Sequence, residues 1–157
     1  MSHVEYARKM FMEGCNCAQA VLSFFGPDMG MDKNTCCSIA AAFGAGIAYS
    51  QQTCGAVTGA VMVIGLRSGM KNTEIPERTL ESYVTTKEFL RRFAAKNGSV
   101  NCRELLAADI TTPEGLAHAR ESGIFETRCT ALISSAIEIL EIMQGEGDGS
   151  VRNNGGT

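Results

Sequence analysis

The residues in this chain that could do chemistry are its thiols. Seven cysteines occur among 157 residues, against two histidines and no tryptophan. Cys54 lies where Thr53 should cap a long apolar helix, Cys54 to Leu66. A thiolate there would face free amides and the partial positive charge of a helix N-terminus, which lowers its pKa and makes it a nucleophile or a metal ligand. Cys17 follows Asn16 at the start of another predicted helix and shares that environment. Cys102 opens a short predicted helix, and Cys129 falls in the first turn of the last one. If those helix ends meet at one end of a bundle, Cys17, Cys54, Cys102 and Cys129 would form a four-thiolate site. Such a site could hold zinc or an iron–sulfur cluster, or work as thiol–disulfide pairs. Cys54 and Cys17 are the leading catalytic candidates. Gly55 and Gly59, four apart on one face, would let a cofactor or a neighbouring helix approach the backbone.

The other three cysteines read differently. Cys15 makes a C-x-C with Cys17, which can bind metal or form a strained disulfide. Cys36 and Cys37 are adjacent, so on a helix they point about 100° apart, one inward and one toward the surface. Other chemistry is thin. His3 and His118 read as surface or capping residues, and the methionines as core filling. There is no phosphate-binding glycine loop, zinc-protease motif or haem-attachment C-x-x-C-H.

The elements that must position these thiols read as helices almost throughout. Ser2 with Glu5 forms a capping box ahead of an apolar face of Val4, Ala7, Met10 and Phe11, and Gly14 ends that helix. Asn16 caps a second helix with Ala18, Val21, Leu22 and Phe25 inward, stopped by Gly26-Pro27. Asp32 or Asn34 starts a third, through Ile39, Ala42 and Phe43, broken at Gly44-Ala45-Gly46. The helix from Cys54 is apolar on nearly every side and should be central. Pro76 opens a fifth helix, with Tyr83, Lys87, Leu90 and Phe93 on one face and Asn97-Gly98 at its end. A short helix covers Asn101 to Ala108, and Thr112-Pro113 opens another. The last runs from Glu126 to Gln144, and the glycine-rich stretch from Gly145 is expected as a flexible tail. With no period-two alternation, the expected fold is all-α: a single-domain bundle of six to eight helices over residues 1–144.

Composition narrows the functional classes. Apolar residues at 45% and charged residues at 20% describe an ordinary globular chain. A net charge of -3 gives no reason to expect nucleic acid as partner. The longest apolar run, Ala56 to Leu66, falls short of the about 20 residues a membrane span needs. The polar N-terminus and the odd cysteine count point to the cytoplasm, where thiols stay reduced.

Several stretches together carry a resemblance. EGCNCAQAVL, AAFGAGI, CGAVTGAVMVIGL, CRELL and a final Cys129 before an apolar helix resemble the C_GCAxxG_C_C family of redox-active proteins, over roughly Glu13 to Met143. The glycine element is matched by Cys54, Gly55, Ala56 and Gly59, in the order Cys-Gly-Ala where the family label writes Gly-Cys-Ala. The resemblance implies an all-helical domain whose characteristic cysteines are Cys17, Cys54, Cys102 and Cys129. It extends to part of the split-Soret cytochromes, which implies an iron–sulfur analogy without haem. The resulting expectation is a redox-active protein with a four-cysteine centre and an unknown redox partner protein. The alternative is a non-catalytic, metal-stabilised or purely structural helical module, with a homodimer through the glycine-faced helix as one form of it.

Overall fold

The computed structural model describes residues 1–152. Its elements follow the helix-start signals closely. In α1 (His3–Met12) the Ser2–Glu5 capping box is formed in both directions, and Gly14 follows at φ 85°. Asn16 caps α2 (Cys17–Phe25) and is answered by Gln19 in a second capping box. The Asp32 carboxylate caps α3 (Lys33–Ala40), accepting from the Thr35 amide. That helix stops at Ala40, earlier than the apolar pattern suggests, and Ile39 is exposed. A 3-10 turn, Ala41–Phe43, leads into the single turn α4 (Gly44–Ile47).

The central helix is α5 (Gly55–Gly69), which packs against α2, the long α6 (Ile75–Asn97) and the C-terminal α9 (Thr130–Arg152). Small residues make the first of these contacts close. A Cβ on Gly59 would meet the Ala18 carbonyl oxygen at 2.8 Å, and one on Gly55 would meet the Cys17 Cβ at 3.0 Å. The glycine face is therefore filled by α2 of the same chain, and a dimer through it has no room. α1 lies along α9, and α3 lies against α2. Between α6 and α9 come α7 (Cys102–Leu106) and α8 (Pro113–Glu121), the latter capped by Thr112 with Pro113 in its first turn.

The core is continuous. Val21, Leu22, Val57, Val63, Phe89, Phe93, Leu132, Ile133, Ile137 and Leu140 are all fully buried within it. On α6 the buried residues are Phe89 and Phe93, while Tyr83 and Lys87 are exposed, so the face that carries Tyr83, Lys87, Leu90 and Phe93 is a mixed one. Arg67 ties α5 to α9: its guanidinium lies 4.8 Å from the Phe25 ring centroid and donates to the Leu140 carbonyl. Among the described residues there is no strand, only an isolated antiparallel bridge between Thr53 and Asn101. No helix there is long and apolar enough to cross a membrane.

The C-terminus departs from expectation. The helix does not stop at Gln144 but runs through Gly145 to Arg152. The Arg92 guanidinium of α6 clamps the Glu146 carboxylate at 2.7 and 3.1 Å, and Arg67 donates to Gln144 at 2.8 Å. Tertiary partners outweigh the weak helix propensity of the glycines. The rest of the expected tail, 153–157, lies outside the described residues.

Two glycines of α5 separate packing from propensity. Gly59→Ala should destabilise the protein by about 1–3 kcal/mol in urea unfolding, because its new Cβ meets the α2 backbone. Gly65, which has open space around it, should tolerate alanine, with a gain of up to about 1 kcal/mol from helix propensity.

Candidate functional site: a thiol-lined cavity

The four expected thiols share one cavity. Cys17, Cys54, Cys102 and Cys129 all line this space of about 510 Å³, walled by Phe11, Leu105, Phe125 and Leu132, and the half-buried Cys15 lines it too. Each is buried, at 4 to 8% exposure, and each arrives on a different element. Cys17 is the first residue of α2 and Cys102 the first of α7. Cys129 closes a π-helical turn, Phe125–Cys129, just ahead of α9. Cys54 is not in the first turn of α5 but is its N-cap; Thr53, the expected cap, is taken up in the bridge to Asn101.

That bridge positions two of the thiols. The Cys54 amide donates to the Val100 carbonyl at 2.8 Å, and the Cys102 amide donates to the Gln52 carbonyl at 2.7 Å. The segments before α5 and α7 are thus zipped together by their main chains. Arg128 fixes a third: Nε donates to the Leu105 carbonyl at 3.0 Å and a second guanidinium nitrogen to Asn97 at 3.3 Å, pinning the π turn to α7 and to the end of α6.

Two site elements have no counterpart in the sequence reading. The first is a left-handed run: Ala45, Gly46, Ile47, Ala48 and Tyr49 all have φ between 48° and 67°. Only glycine adopts this conformation cheaply, and each other residue costs about 1–2 kcal/mol. The run brings Ala45, Gly46 and Tyr49 to the cavity wall, and a Cβ on Gly46 would lie 2.7 Å from the Cys102 Cβ. The alternating glycines in GAG were the available signal, though they read only as a break. The second is Gln51, buried at 3% exposure. Its Nε2 donates to the Ala108 carbonyl at 2.8 Å, and its Oε1 accepts from the Ile110 amide at 3.1 Å. It also acts on the Cys102 thiol, favouring its ionised form.

The glycine pair divides. Gly55 lines the cavity, but Gly59 faces Ala18 and Val21 away from it. Cys36 is a packing residue: fully buried, with its sulfur where a Gly26 side chain would be. Cys37 is half-buried, in keeping with the one-in, one-out expectation.

The electrostatics reverse the expected direction. Burial pushes the Cys54 thiol up to about 12, although the Ala56 and Val57 amides at the helix start pull the other way. Burial likewise raises Cys102 to about 11, with the Cys129 sulfur adding to it. Cys17 stands well above the ordinary value, first because of the Cys129 thiol beside it and then because of burial. Helix-start amides stabilise a thiolate, but here desolvation and mutual repulsion of neighbouring sulfurs outweigh them. The cavity thus favours uncharged sulfur: protonated thiols or disulfides. Thiolates would need a cation among them.

Four soft sulfur donors suit zinc or an iron–sulfur cluster chemically. Their positions do not make a ready ligand shell: among the described residues, no group of three or more Cys, His, Asp or Glu side chains is placed to hold a metal ion.

Fold and site together define an all-helical protein with a buried cluster of cysteines contributed by separate helix ends. The sequence model of the C_GCAxxG_C_C family, described as "Putative redox-active protein", matches residues 15–143, and the chain belongs to that family. No curated protein and no solved structure matches it.

Two outcomes follow. A thiol whose pKa is raised on folding favours the folded state below its unfolded pKa, and the benefit is lost as pH rises through the folded value. In the reduced, metal-free protein this contribution to stability should therefore be full up to about pH 9, the ordinary thiol value, and be lost between there and about pH 12, as followed by urea midpoints. Gln51→Ala should cost about 1–3 kcal/mol by orphaning the Ile110 amide and Ala108 carbonyl, and should slow alkylation of Cys102 in the native state, because the contact that favours its thiolate is lost.

Proposed function

We propose that the protein is a redox carrier whose working centre is the cavity formed by Cys17, Cys54, Cys102 and Cys129, cycling between thiols and disulfides. The observation that supports this reading is that four buried cysteines line one cavity, with the Cys129 sulfur the largest influence on the Cys17 thiol. In the step, Cys17 and Cys129 together lose two protons and two electrons and form one S–S bond. A disulfide-bearing redox partner takes up both and is released as two thiols. Such exchange needs a thiolate as attacking group. Burial opposes ionisation at Cys54 and Cys102, and the Cys129 thiol and burial oppose it at Cys17, so the attacking thiolate forms only transiently. A reducing cytoplasm is the setting in which such thiols would start reduced.

A second reading keeps the same four residues as ligands to zinc or an iron–sulfur cluster. It is favoured by the raised thiol pKa values, since a cation would remove the penalty on clustered thiolates. A bound metal or cluster would supply charge neutralisation or one-electron transfer. A purely structural module remains the contrasting class.

Anaerobic purification followed by visible spectroscopy, metal analysis and thiol counting separates these readings. Thiol–disulfide cycling predicts no stoichiometric metal and a loss of free thiols in pairs on mild oxidation. Iron with charge-transfer bands would replace it with the cluster reading, and one inert zinc per chain with the structural one. Cys129→Ser should abolish the paired oxidation while the helical circular dichroism persists.

A further inference from the structure

Of the three cysteines outside this set, two face each other. Cys15 lies in the connection between α1 and α2, and Cys37 lies on α3; their sulfurs are 4.0 Å apart. The C-x-C spacing would pair Cys15 with Cys17, but the sulfur that Cys15 faces is that of Cys37, although both Cys15 and Cys17 line the larger cavity. Both are half-buried and free. Their separation is set by fixed structure. Gln19 Nε2 donates to the Cys37 carbonyl at 2.8 Å, and Asn16 Nδ2 donates to the Ala41 carbonyl at 2.9 Å. The start of α2 is thereby stapled to the end of α3. An open cleft of about 500 Å³ gives access to both sulfurs, with the Lys33–Glu13 ion pair among its walls.

We infer that Cys15 and Cys37 form a second, surface redox dithiol that closes to a disulfide by exchange with a small external disulfide of the glutathione type. The sulfurs must approach by about 2 Å to reach bonding distance, a movement that side-chain rotation can supply. One protein thiol, as its thiolate, attacks a sulfur of the external disulfide, forming a mixed disulfide and expelling one external thiol. The second protein thiol then attacks the protein-side sulfur and expels the other. Two protein thiols become one disulfide, and one external disulfide becomes two thiols, so protons and electrons balance. Cys15 and Gly14 line both this cleft and the four-thiol cavity, so closure of the surface pair reshapes one wall of the buried site.

The test uses the reduced full chain, incubated anaerobically with oxidised glutathione, quenched by alkylation, and digested with trypsin without reductant. Lys33 lies between the two cysteines, so cleavage there separates them unless they are bonded. The expected product is a Cys15–Cys37 cross-linked peptide, located by fragmentation and reversed by dithiothreitol. Cys37→Ser should trap glutathione on Cys15, and Cys15→Ser should trap it on Cys37, each with wild-type circular dichroism. Recovery of both cysteines fully alkylated, a Cys15–Cys17 bond instead, or a stable mixed disulfide on the wild type would each overturn the inference.

Discussion

The close contact of α2 with α5 is the constraint on which the rest of the structure depends. Gly55 and Gly59 remove the side chains that would hold the two helices apart, so the backbone of α2 at Ala18 touches α5 directly. Cys17 heads one helix and Cys54 caps the other, so the contact that builds the core also places two thiols at one end of it. α9 packs on both helices and its preceding π turn delivers Cys129. The bridge between Thr53 and Asn101 adds Cys102. One packing decision, made with two glycines, thus assembles a site from residues more than a hundred positions apart.

The site end is built from less favourable pieces than the core. Ala45, Ile47, Ala48 and Tyr49 sit in the left-handed region, at about 1–2 kcal/mol each. A π turn and a single isolated bridge complete the wall. Conformations of this kind persist only where the surroundings over-determine them, and they cluster at functional sites. Here the surroundings include Gln51, whose buried amide ties the segment after the left-handed run to the loop after α7. The four thiols are therefore held by main-chain hydrogen bonds and strained turns, while the apolar interior between α2, α5, α6 and α9 supplies the stability.

The helices were legible in the sequence because their signals are local. Ser2, Asn16, Asp32 and Thr112 cap the helices they precede. The α5 glycines marked a close approach, though not which neighbour would fill it. Four of the thiols could be singled out by helix-start position and by the family pattern. That they line one cavity depends on helix crossings that no local spacing encodes. Three features were hidden for physical reasons. The thiol pKa direction turned on burial, which the amides of one helix start could not outweigh. The left-handed run was invisible because Ile47, Ala48 and Tyr49 carry no intrinsic preference for it. The helix beyond Gly145 depends on Arg92 and Arg67 reaching across from other helices.

The central claim is that the four buried thiols act as one centre. The most direct measurement is a redox titration of the native protein, with differential isotopic alkylation reporting each cysteine at every potential. Cys17, Cys54, Cys102 and Cys129 should change state over one shared range, as members of one cavity whose sulfurs influence each other. If all four instead stay reduced at every potential and become alkylated only on denaturation, with no metal bound, the cavity is packing and the redox account is wrong.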